Sequence, residues 1–231
     1  MKAILFDFGG TLDNPGIHWF EFIKTFYAKY SIKCDEDILR EAFVYAEREL
    51  GVRIMREDDL TDTLHKMYSY QFDYLERRLG MPLDISLIMK IVLACEREIR
   101  SYVNSIIPLL TELNNKFKLG IISNYYGNLE TVVGDLKIKN LFTVLVDSNI
   151  EGVRKPDYRI YLTALKKLNA RPEEVTMVGD SYKNDICPAS QLGCRTVWLK
   201  NKTWKTEEEQ LCADYIITDL SDIKNILELN N

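Results

Sequence analysis

The chain has 231 residues, 46% of them hydrophobic and 28% charged, the balance of a soluble globular protein that can bury a core without disulfide or metal staples. A net charge of −5, from 30 basic and 35 acidic residues, argues against a nucleic-acid binder, which needs a net basic face, while leaving room for a local anion pocket. The five cysteines (Cys34, Cys95, Cys187, Cys194 and Cys212) are scattered, odd in number and without a CxxC pair; this argues against zinc and against a disulfide framework, and for reduced thiols in a cytoplasm.

One lysine precedes AILFDF (3–8), an apolar run with the look of a buried strand. The run enters an acidic turn directly, without the apolar stretch and cleavage site of a signal peptide, and no later run approaches the roughly 18 apolar residues of a membrane span. From Pro15 to Tyr102 the pattern is helical. Asp35 is placed to cap a helix carrying Leu39, Phe43, Ala46 and Leu50, with Gly51 as its stop. Leu60, Leu64, Met67, Tyr68, Phe72, Leu75 and Leu79 mark a second helix ending at Gly80, and Leu87 to Ile99 a third. Apolar runs then return as LGII (119–122), TVLV (143–146), VTMV (175–178), RTVWL (195–199) and YII (215–217). Helical patterns lie between most of them, including Tyr161, Ala164, Leu165 and Leu168, and a last helix holds Ile223, Ile226 and Leu227. The segment Asn201–Ala213 reads as an exposed loop.

Strands alternating with helices predict an α/β fold, a doubly wound, Rossmann-like parallel sheet, with an all-α helical cap inserted after the first strand. The expected division is a core of residues 1–14 and 103–231 and a cap of residues 15–102. A long insertion at a strand's C-terminal end stands over the edge where such sheets bind ligands, so the block reads as a lid.

The predicted strand ends carry the chemistry. The first ends at Asp7, LGII at Ser123-Asn124, and VTMV at Gly179-Asp180, with Asp185 five residues on and Lys155 in the preceding GVRKPD. Three carboxylates brought together are costly without a cation. A hard divalent ion such as Mg²⁺ suits them, while the hydroxyl, backbone N–H groups and Lys155 suit a phosphoryl group.

In this ordered set the chain resembles the haloacid dehalogenase (HAD) superfamily of aspartyl-nucleophile hydrolases. DFGGTL (7–12), IISN (121–124), GVRKPD (152–157) and VGDSYKND (178–185) are similar to its four motifs, and the insertion is similar to its all-helical cap. The resemblance implies that Asp7 is the nucleophile, forming an aspartyl-phosphate. It implies Mg²⁺ held by Asp7, the carbonyl of Gly9 and Asp180, with Asp185 a ligand or a neighbour of the ligands. Ser123 would hydrogen-bond the phosphoryl oxygens, Lys155 would hold Asp7 and phosphoryl group together, and Gly10 and Asn124 would join the phosphate site. The implied substrate is a small phosphorylated metabolite.

One position departs from the pattern. The family's phosphatases usually carry a second Asp two residues after the nucleophile, as acid and then base, and here that residue is Gly9. General acid–base help is worth about 10²–10⁴-fold, so a slower or specialised phosphatase is expected, with Gly9→Asp raising activity if geometry permits. Asp13 and His18, close to Gly9 in sequence, Asp157, two residues after Lys155, or a group on the substrate are the candidates to stand in. His18, Trp19, Tyr125 and Tyr126 are candidates for substrate contact, with Arg53 or Arg56 of the cap for a second anionic group. A non-hydrolytic phosphate-ligand binder, and a phosphonatase or haloacid dehalogenase, are the alternatives. Oligomeric state does not follow from the sequence.

Overall fold

The computed structural model describes residues 1–80, 82–201 and 212–227; most of the expected Asn201–Ala213 loop lies outside them. Six strands are described: β1 Ala3–Phe6, β2 Lys118–Ser123, β3 Val144–Asp147, β4 Val175–Gly179, β5 Arg195–Leu199 and β6 Tyr215–Ile217. They form one parallel sheet in the order β3-β2-β1-β4-β5-β6. The central strands are buried on both faces, which is why they are continuous apolar runs, while the edge strand β6 leaves Tyr215 and Ile216 exposed. β1 shows the alternation: Ile4 and Phe6 enter the larger core cluster, and Ala3 and Leu5 the smaller one, which α7 (Tyr158–Leu168) covers with Ile160, Tyr161, Ala164, Leu165 and Leu168.

The chain builds β1, β2 and β3 outward to one side, then returns to lay β4 against the free side of β1. The order reverses between β1 and β4, where a doubly wound sheet opens a crevice at its strand C-termini. The expected helical block lies between β1 and β2. It comprises α1 Trp19–Lys29, α2 Glu36–Arg53, α3 Leu60–Leu79 and the first part of α4 Ser86–Asn114; α5 Leu129–Asp135 and α6 Ser148–Glu151 then follow β2 and β3.

Two boundaries differ from expectation. Gly51 does not stop α2, which runs on to Arg53 and ends where Ile54 turns extended at ψ 141°. A Cβ on Gly51 would meet nothing within 4 Å, so the helix passes through it at only the propensity cost of a glycine. Asp35 takes the capping position of α2 without a side-chain hydrogen bond. Gly80 does end α3, in the left-handed region at φ +67°. The third predicted helix continues straight across the expected boundary at 102/103. Its apolar stripe persists through Val103, Ile106, Leu109, Leu110 and Leu113, and α4 absorbs Pro108 within its 29 residues. At about 1.5 Å per residue, α4 is long enough to serve the cap at one end and the sheet at the other.

The helical, exposed and unobstructed Gly51 generates a prediction. Gly51→Ala should stabilise the protein by about 0.5–1 kcal/mol, read as a raised urea midpoint at unchanged slope.

Candidate active site

Asp7 follows β1, Ser123 closes β2 and Gly179-Asp180 close β4, so the three central strands deliver their polar ends to the switch point. The Asp7 N–H donates to the Val178 carbonyl at 2.9 Å, which ties the first turn to β4. Asp180 is pinned from the other side by the Trp198 indole N–H, which donates to its carbonyl at 2.8 Å. Two glycines make the close approach possible. Gly10 lies at φ +91°, and a Cβ there would stand 2.6 Å from the Asp180 carboxylate. A Cβ on Gly179 would collide with the Asp185 side chain.

At the centre, Lys155 Nζ donates to Asp7 Oδ1 at 2.6 Å and to Asp185 Oδ1 at 2.5 Å. All three side chains are buried. Burial alone would push the Lys155 ammonium down, but the Asp185 and Asp7 charges more than offset it and hold it above the ordinary lysine range. Asp185 also accepts from the Ser181 N–H at 3.0 Å. Burial raises the Asp185 carboxyl to about 7, against the opposing pull of Lys155. Asp180 is raised well above the carboxylate range by burial and by the charges of Asp7 and Asp185.

Asp7, Asp180 and Asp185 each offer an oxygen within 4.8 Å of the others. Three buried carboxylates against one ammonium leave an excess of negative charge, and an all-oxygen donor set fits a hard divalent cation such as Mg²⁺.

Asn124, expected to bind phosphate, lines the cavity and is also bonded to Lys155. Its Nδ2 donates to the Lys155 carbonyl at 3.0 Å and its Oδ1 accepts the Lys155 N–H at 2.7 Å, so it fixes the lysine's backbone. Ser123 lines the cavity beside Asp7.

That cavity, of about 220 Å³, lies between the sheet edge and the cap. The cap supplies Phe43 and Glu47 from α2 and Leu60, Leu64 and Met67 from α3, while Tyr125 and Tyr126 follow β2. Tyr125 packs edge-on against Phe8, and Tyr126 donates to the Glu47 carboxylate. Further bonds dock cap on core: Asn128 Nδ2 donates to the Asp58 carbonyl at 2.9 Å and to Thr63 Oγ1 at 2.8 Å, and Asn149 Nδ2 to the Gly51 carbonyl at 3.0 Å. Arg53 pairs with Glu49 on the surface, and neither it nor Arg56 lines this cavity. Glu47 and Arg154 line it, though sequence reasoning did not single them out. The available signal was a lone carboxylate four residues after Phe43, on the face that carries the α2 apolar stripe.

The surroundings of Gly9 separate the three stand-ins. Asp157 caps α7 and pairs with Arg159, away from the cavity lining. His18 caps α1, its Nδ1 accepting from the Phe20 N–H at 3.1 Å; burial pushes its pKa down to about 4, so it is neutral near pH 7. Asp13 is buried in the cavity wall. Its Oδ1 accepts from the Gly10 N–H at 2.7 Å and from Asn14 Nδ2 at 3.1 Å, and its Oδ2 from Trp19 Nε1 at 2.7 Å. Burial raises the Asp13 carboxyl to about 7 despite those donors. The Trp19 indole stands over Gly9, 3.3 Å from where a Cβ would be, so residue 9 has little room for a side chain.

Comparison with known proteins places this geometry. Residues 4–199 match the family model described as haloacid dehalogenase-like hydrolase. A glyceraldehyde 3-phosphate phosphatase from Pyrococcus furiosus is 33% identical over 172 residues, 71% of each chain. One from Methanothermobacter thermautotrophicus is 26% identical over 98% of this chain and 100% of its own. Among solved structures, the HAD-hydrolase YfnB from Bacillus subtilis, crystallised with magnesium, shares the fold at a TM-score of 0.62 and 18% identity over 98% of both chains.

The neutral, capping His18 generates a pH prediction. Its folded pKa of about 4 lies below its ordinary 6.5, so the unfolded chain binds more protons between those values and this contribution to stability rises with pH across that window. The raised Asp13 and Asp185 carboxyls act in the opposite sense, falling away as pH rises toward about 7, but they are common to wild type and variant. His18→Asn retains a capping acceptor and removes the titration. Wild type should therefore lose stability relative to His18→Asn as pH falls from 6.5 to 4, measured by urea denaturation at several pH values.

Proposed function

Because the chain belongs to the haloacid dehalogenase-like hydrolase family, we propose that it is a cytoplasmic, magnesium-dependent phosphatase that hydrolyses a small phosphomonoester through an aspartyl-phosphate on Asp7. The single observation that carries this reading is the buried Lys155 ammonium held between Asp7 and Asp185, with the Asp180 carboxylate beside them. A phosphoryl group entering here meets one fixed positive charge and a carboxylate nucleophile whose orientation that charge sets.

In this reading Asp7 attacks phosphorus, and Lys155 stays bonded to both nucleophile and phosphoryl oxygens. Ser123 donates its hydroxyl to the phosphoryl group. Asn124 and Asp185 act on Lys155, from its backbone and its ammonium respectively. Asp7, Asp180 and the Gly9 carbonyl would hold Mg²⁺, with Asp185 beside them, and the ion when bound supplies positive charge against the phosphoryl oxygens. Residues 15–102 act as the cap, and their bonds to the segments after β2 and β3 close the cavity and exclude water during turnover.

The substrate's remaining part would face Phe43, Leu64, Met67 and Tyr125, with Glu47 and Arg154 as the polar elements. Glyceraldehyde 3-phosphate, the substrate in the relatives' names, heads the panel to test.

Phosphate release from a panel of phosphomonoesters, with Mg²⁺ and with chelator, tests the reading. Release should require the metal and fall at least ~10³-fold in Asp7→Asn. Tight ligand binding without turnover, or halide release indifferent to chelator, would replace the phosphatase reading with that of a binder or a dehalogenase.

A further inference from the structure

We propose that Asp13 is the acid–base residue of this site, reaching the reacting oxygen from beside Gly9 in place of the carboxylic acid that position 9 lacks; this rests on the phosphatase reading above. The placement comes first. Asp13 Oδ2 lies 4.0 Å from the point where a Cβ on Gly9 would begin, so its carboxyl occupies the neighbourhood a residue-9 side chain would enter. It shares the cavity wall with Asp7 and is only 2% exposed.

The hydrogen-bond inventory comes second. A carboxyl group offers about four acceptor positions. Gly10 N–H and Asn14 Nδ2 occupy two on Oδ1, and Trp19 Nε1 occupies one on Oδ2. Oδ2, the oxygen nearest Gly9, takes one of these three bonds, and its second position can carry either a proton or a lone pair without breaking any of them. That is what an acid in one step and a base in the next requires.

The third argument is the coupling of Gly9 to Trp19. The indole fills the space above residue 9 and its N–H aims Oδ2. A side chain at position 9 would push against the ring that positions Asp13, so the glycine and the displaced carboxylate form one arrangement. The other nearby groups are committed elsewhere: Glu47 accepts from Tyr126, Asp157 caps α7, and His18 Nδ1 accepts from the Phe20 N–H.

The chemistry balances. Asp7 bonds to phosphorus, the phosphorus–oxygen bond to the leaving group breaks, and that oxygen takes the Asp13 proton to leave as an alcohol. Water then attacks the aspartyl-phosphate and gives its proton to the Asp13 carboxylate. The bond from phosphorus to Asp7 breaks, releasing phosphate and restoring both side chains.

The test is rapid-quench intact-mass measurement on Asp13→Asn during turnover of dinitrophenyl phosphate, whose leaving group needs no proton, and of phenyl phosphate, whose leaving group does. Steady-state turnover should fall about 10²–10⁴-fold. With the dinitrophenyl ester a stoichiometric burst should appear, with the phosphoryl group retained on Asp7; with the phenyl ester the burst should be lost. Wild-type turnover, or loss in a folded variant without phosphoenzyme from the dinitrophenyl ester, overturns the proposal.

If Asp13→Asn does not fold, Trp19→Phe keeps a ring over Gly9 and removes only the N–H that aims Oδ2. Its phosphoenzyme from the dinitrophenyl ester should decay more slowly than wild type at an unchanged kcat/KM, and decay at the wild-type rate overturns the proposal. A wild-type enzyme that releases no phosphate from any ester takes down the phosphatase reading, and this proposal with it. Failure of the Asp13 and Trp19 variants to behave as stated, in a protein whose turnover depends on Asp7, removes this proposal alone.

Discussion

The site is organised around an electrostatic imbalance: three buried carboxylates face one buried ammonium. Lys155 neutralises part of the charge by bonding Asp7 and Asp185 at once. It cannot balance Asp180 as well, whose carboxyl is raised well above its ordinary range, and the three carboxylates together could hold a divalent cation. Much of the local architecture maintains this arrangement. Gly10 and Gly179 are small because the Asp180 and Asp185 side chains pack where their Cβ atoms would be. Asn124 clamps the Lys155 backbone, and Trp198 holds the Asp180 carbonyl.

The sheet makes such a concentration of charge possible. Its parallel strands end on one edge, and the reversal between β1 and β4 sets Asp7 beside Asp180 although 172 residues separate them in sequence. The helical block rises from the same edge and closes over it with side chains of a different kind. Phe43, Leu60, Leu64 and Met67 give the cavity an apolar wall opposite the charged groups. The charged groups thus lie at the strand ends and the apolar ones on the helical block, with Tyr126 and Glu47 joining the two.

Much of this was legible in the sequence because it rests on local patterns. Continuous apolar runs marked the six described strands, and DFGGTL, IISN and VGDSYKND each adjoin such a run, so their placement at strand ends came with the strands. Helix limits were less legible. Gly51 had the right identity for a stop yet lies inside the last turn of α2, because an exposed glycine costs too little to end a helix that packing supports. The stripe of α4 ran on past residue 102, and packing against the sheet sustained it through Pro108. The bonds from Asn124 to Lys155 were hidden for another reason: the two residues are 31 positions apart.

The chain's linear order alone determined the alternation that builds a doubly wound sheet, the helical insertion after its first strand, and the absence of a side chain at position 9. Those follow from periodicity and residue identity, which need no knowledge of distant contacts. Only the tertiary structure decided which carboxylate neighbours Gly9. Asp13, His18 and Asp157 are equivalent candidates on paper, and they part company because α1 folds its indole back over Gly9 and onto Asp13, while Asp157 turns to cap α7. Proximity between side chains is set by how elements pack, and spacing along a chain does not encode it.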